Sequence, residues 1–74
     1  MKITYDRSVD ATYIYLKERP SQVTTVRLTE DIAVDFGPGE EVVGIEILSA
    51  SEHLGLDPEK PVVELVDVGR AKGP

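Results

Sequence analysis

Carboxylates are the residues of this chain with the most chemistry in reach. Asp31 and Asp35 flank or enter a run in which Ile32, Val34 and Phe36 alternate with Ala33 and Asp35. Glu46 lies in a second alternating run, residues 42–48, and Gly37-Pro38-Gly39-Glu40 supplies turn chemistry between the two. Pairing Phe36 with Glu41, Val34 with Val43 and Ile32 with Ile45 stacks apolar side chains on one face. A slip of one residue would set Ile32 against Glu46. That register puts Asp31 opposite Glu46, with Asp35 further along the same face. Asp31, Asp35 and Glu46 are therefore candidate oxygen ligands for a divalent cation. Two points count against them. Asp31 and Asp35 stand a strand's length apart, too far for one ion, and like charges facing each other on a sheet repel. Arg27 or Lys17 from a neighbouring strand, or plain solvent, is the simpler companion, so only weak, salt-sensitive metal binding is expected.

The remaining reactive side chains have structural readings. Asp6 and Asp10 bracket a turn, where Asp side chains bond their own backbone. His53 is the single histidine, in a chain without cysteine. Near a helix C-terminus it interacts favourably with the dipole. Ser49-Ala50-Ser51-Glu52 fits S-x-x-E, so the Ser49 hydroxyl is expected to cap a helix, and Ser49→Ala to cost more stability than Ser51→Ala. Tyr13 and Tyr15 share a face with Ala11. Stacking on nucleic-acid bases would need basic surroundings, so packing or a dimer interface is the better reading. Gly44 sits in mid-strand, which implies a close approach by a large side chain, such as a tyrosine, or by the helix. No nucleophile–base pair and no metal-ligand spacing appears. No catalytic residue and no cofactor is assigned, and an enzyme is the least favoured class.

These residues need a scaffold, and the pattern supplies one. Strands are expected at 2–5, 11–16, 23–28, 32–36 and 42–48. A short helix at 50–54 follows, stopped by Gly55. The fold class is α+β: a small antiparallel meander of about five strands, with one short helix after the fifth. The helix should cover the face of Val43, Ile45 and Ile47. The strand at 11–16 carries large side chains on both faces, so it should be central or have its tyrosine face covered by something else. Residues 1–56 form a single domain. Residues 57–74 form a proline-containing tail with a candidate extra strand at 62–66, and residues 69–74 are expected to fray.

Composition bounds the partners. The chain has 74 residues, no Cys, no Trp, one Phe and a formal charge of −6. A domain this short has a thin core, and oligomerisation is a common remedy. The acid surplus opposes binding to phosphate backbones. No apolar run is long enough to span a membrane. A cytoplasmic homodimer without nucleic-acid or membrane contacts is the expectation.

Two stretches also carry a family likeness. Asp31-Ile32-Ala33-Val34-Asp35-Phe36, followed by residues 42–51, resembles the signature of the DUF2283 family of small uncharacterised proteins. Met1-Lys2-Ile3-Thr4-Tyr5-Asp6 and Asp10-Ala11-Thr12-Tyr13-Ile14-Tyr15-Leu16 resemble its opening. The Gly-Pro-Gly hairpin tip departs from the acidic turn usual in relatives, and the tail from Asp57 lies outside the likeness. The resemblance implies a fold and no activity. It also hints at a protein partner, since some relatives are encoded beside small toxin-like proteins. The leading function is thus a small acidic interaction module that self-associates. The alternative is a metal or small-ligand binder using the acidic sheet face.

Overall fold

The computed structural model describes residues 1–69, so the fraying expected at 69–74 falls, apart from Gly69, outside the described residues. Strands β1 (Lys2–Asp6), β2 (Ala11–Tyr15), β3 (Thr24–Arg27), β4 (Ile32–Phe36) and β5 (Val42–Leu48) precede a single helix, α1 (Ala50–Leu54). The strands form one antiparallel sheet in the order β1-β2-β5-β4-β3. The α+β class expected from the pattern is therefore observed, and β2 lies inside the sheet, as its two-sided side chains require.

The order departs from a sequential meander. After β2 the chain crosses to the far edge, and β3, β4 and β5 then return by hairpins to close against β2. The crossing spans three strand spacings, about 14 Å. The connection, residues 16–23, extends easily over that distance. Pro20 within it removes a donor and keeps it out of the sheet.

The β4–β5 register also differs from the expectation, by two residues. Gly37 N–H donates to Glu41 O at 2.7 Å, so the hairpin closes one residue nearer its tip, around a 3-10 turn at Pro38–Glu40. Phe36 then pairs with Val42. Continued without interruption, that alignment would set Val34 against Gly44 and Ile32 against Glu46, mixing the faces. A bulge prevents this: Val43 is the extra residue, and beyond it Asp35 faces Gly44, Val34 faces Ile45 and Ile32 faces Ile47. One inserted residue restores the parity of the apolar face.

Two rows of apolar side chains cross that face. One runs Ile3, Ile14, Ile45, Val34, Val26; the other runs Tyr5, Thr12, Ile47, Ile32 and on to Leu28. Helix α1 packs on the β2 side of this face, with Ala50 wholly buried. Five residues cover little more than the β2 end of it, less than the whole face of Val43, Ile45 and Ile47 expected of the helix. Along the second row exposure climbs from 2% at Thr12 and 7% at Ile47 to 61% at Leu28.

The expected cap on α1 is replaced by another. Ser49 adopts the left-handed conformation (φ 52°, ψ 46°) and its hydroxyl caps nothing. Asp10, in the β1–β2 turn, takes that role. Its carbonyl accepts Ala50 N–H at 2.8 Å, and its carboxylate accepts Ser51 N–H at 3.0 Å and the Ser51 hydroxyl at 2.7 Å. Backbone geometry explains the exchange: the turn from strand to helix needs a positive φ at Ser49, which aims its side chain away from the first helical amides. At the other end Gly55 takes the left-handed conformation (φ 63°), as the sequence suggests.

Residues 61–69 adopt neither strand nor helix, so the candidate strand at 62–66 has no ladder partner among the described residues. Pro61, Val62 and Val63 line one hollow together with Ile3, Tyr5 and Ile14, on the apolar side of β1 and β2. This start of the tail therefore lies on the apolar side and not on the tyrosine face.

Candidate functional site

The opposite face of the sheet holds the polar side chains. Alternation along the strands puts them there in two rows. Lys2, Tyr15, Gly44, Asp35 and Thr25 form one; Thr4, Tyr13, Glu46, Ala33 and Arg27 form the other. Several of them, together with Arg19 from the crossing loop, line an open hollow of about 370 Å³.

Tyr13 organises this face. Its ring leans across the sheet over Gly44, where a Cβ atom would stand 2.0 Å from the Tyr13 hydroxyl. The glycine is thus explained by the close approach of a tyrosine, one of the readings offered by the sequence. The space lets the Tyr13 hydroxyl donate to Asp35, which also accepts from the Thr25 hydroxyl. Arg19 stands 3.8 Å from the same carboxylate. Asp35 is only 7% exposed. Burial pushes its carboxyl upward, but the bonds from Thr25 and Tyr13 and the Arg19 charge outweigh that and hold it below the usual range. Burial and the bond to Asp35 push the Tyr13 phenol up to about 12. Tyr15 packs edge-on against Tyr13, with ring centres 4.5 Å apart, and Lys2 Nζ sits 4.5 Å above the Tyr15 ring.

The three acids proposed as ligands are not brought together. Glu46 faces Ala33 rather than Asp31, and Arg27 binds it at 3.1 Å. Arg27 is one of the two cations expected to compensate; the other, Lys17, pairs with Glu41. Asp31 lies at the entrance to β4, with its carboxylate 2.8 Å from His53 Nε2. Asp35 belongs to the tyrosine network. Among the described residues no three His, Asp or Glu side chains are grouped as a metal would need.

A second cluster escaped the sequence reading. The Tyr5 hydroxyl donates to Asp10 at 2.7 Å, alongside the Ser51 contacts that cap α1. These bonds from Tyr5 and Ser51 lower the Asp10 carboxyl below its ordinary value. Asp6 does form the expected local turn, accepting Ser8 N–H at 2.9 Å. Asp10 differs because its φ of 53° turns it toward the helix. Only knowledge that β2 pairs with β5 would have exposed the role of Asp10, because that pairing brings position 10 to position 50.

Fold and site together define a small open-sheet α+β protein with a tyrosine–aspartate network on one face and a half-covered apolar surface on the other. The chain belongs to the family described as a protein of unknown function, DUF2283, whose profile matches residues 2–51. It is also similar to an uncharacterized protein of Methanocaldococcus jannaschii, 42% identical over 57 residues, covering 77% of this chain and 47% of that one. The chain thus spans about half the length of this curated relative. No solved structure matches it.

Proposed function

We propose that the chain is a small acidic interaction module that works as a self-associated unit, in its simplest form a symmetric dimer. One observation carries this reading: the apolar face is left half uncovered. Helix α1 reaches only the β2 side, while Val26 and Leu28 at the β3 end are 43% and 61% exposed. No large side chain of the described residues is fully buried. A contiguous apolar strip of this kind on a protein surface marks a contact site. The strip is also polar at its rim, with Thr24 and Glu40 beside Val26 and Phe36, as interface rims are.

The test is the mass of the full chain in solution by sedimentation equilibrium or light scattering. A dimer is expected, weakened by Leu28→Lys, a change at an exposed position that leaves the fold intact by circular dichroism. A monomer at high micromolar concentration overturns the reading.

A further inference from the structure

We propose that residues 63–67 of one copy add as a sixth strand to the outer edge of β3 in a second copy. The inference rests on the self-association proposed above and names the segment that makes it specific.

Three features point to this pairing. The tail is an apolar, β-branched run whose backbone makes no bond to the sheet among the described residues, and its Leu65 is 95% exposed. A segment with strand-like side chains and free amides is the kind that pairs with a sheet edge. The sheet has two edges, β1 and β3. Pro61, Val62 and Val63 line a hollow at the β1–β2 end, whereas all four residues of β3 at the other end are exposed. The third feature is complementarity. Set antiparallel with Glu64 opposite Arg27, the tail brings Leu65 opposite Val26 and Val63 toward Leu28. Both apolar pairs then fall on the half-covered face, and the charge pair falls on the polar one. Arg27 already binds Glu46 through one nitrogen and the Thr29 and Glu30 carbonyls through the other, yet it is 48% exposed, so a second carboxylate can still approach it from the open edge.

The geometry favours a second copy over the chain's own edge. Four strand spacings, about 19 Å, separate β1 from β3. Val63 lines a hollow at the β1–β2 end of the sheet, so Glu64, the next residue, stands at the end opposite Arg27 of its own sheet. In a two-fold stack with the apolar faces inward and the axis along the strands, the β1 edge of each copy lies against the β3 edge of the other. Both tails then dock at once and the assembly closes, without the open-ended growth of a head-to-tail contact.

Charge exchange in the full-length chain tests this. Glu64→Arg and Arg27→Glu should each weaken dimerisation about tenfold, because a like-charge cross-strand pair then occurs twice per dimer. Mixing the two variants should restore association. The arginine introduced in one chain then meets the glutamate introduced in the other at one contact, and the native pair forms at the second. Leu65→Pro, in a segment that bears no part of the domain's core, should dissociate the dimer without altering its circular dichroism. This keeps the test sound should Arg27→Glu unfold. A dimer indifferent to Leu65→Pro overturns the tail exchange and leaves the self-association standing. A monomeric wild type overturns both. Failure of the mixture to associate, with both variants folded, overturns the pairing between copies.

Discussion

Replacing Ser51 by alanine removes a hydroxyl that donates to Asp10 at 2.7 Å, whereas Ser49 offers its hydroxyl to no group in the cap. Ser51→Ala should therefore destabilise the fold by about 1 kcal/mol, the usual loss at a helix cap. Ser49→Ala should do less, which reverses the order that S-x-x-E suggests. Denaturant midpoints of the two variants decide the matter. Titration gives a second measurement at this scale. Asp35 is held below the ordinary carboxylate range, so its ionised form favours the native state. That contribution is complete above about pH 4, the unfolded value, and is lost as pH falls through the lower native one. Tyr13 behaves in the opposite sense. Its phenol stands at about 12, against about 10 unfolded. The stability it brings is present below about pH 10 and lost as pH rises toward the native value. Tyr13→Phe should flatten the alkaline decline of the midpoint, and an unchanged decline would count against the network.

At the scale of elements, Gly44 links β2 to β5. Gly44→Ala puts a methyl group 2.0 Å from the Tyr13 hydroxyl, so the ring must leave Asp35. A loss of about 1–3 kcal/mol is expected, as for overpacking elsewhere. The loss should shrink when Tyr13 is already alanine, because the two substitutions share one contact. A double-mutant cycle by chemical denaturation measures it. The strands themselves were legible from alternation, and so were the helix and the glycine that ends it. Strand order was not, because alternation marks which residues form a strand and says nothing of a crossing such as residues 16–23. Register was missed for a sharper reason. Two apolar-to-apolar alignments of β4 with β5 exist, two residues apart, and a bulge at Val43 selects between them. With the register went the site: Asp31 opposite Glu46 belonged to the wrong alignment, and Asp35 opposite Gly44 appears only in the right one.

The whole molecule sets a small sheet, half covered on its apolar face, against the thin core of a short chain. Dimerisation should accordingly raise the thermal midpoint as protein concentration rises, and a midpoint independent of concentration would argue for a self-sufficient monomer. The Asp10 cap bears on how such a chain reaches its native state in time. Its two halves lie about forty positions apart, and β2 must wait for β5, which emerges only after the excursion through β3 and β4. Loop closure of that length is slow, and contacts that depend on it form late. The β4–β5 hairpin is free to nucleate early; the helix is not. Ser51→Ala should then accelerate unfolding while leaving the refolding rate nearly unchanged. In stopped-flow experiments only the unfolding arm of the chevron should shift. A helix that looks like the natural seed of this small fold would be its last piece to lock.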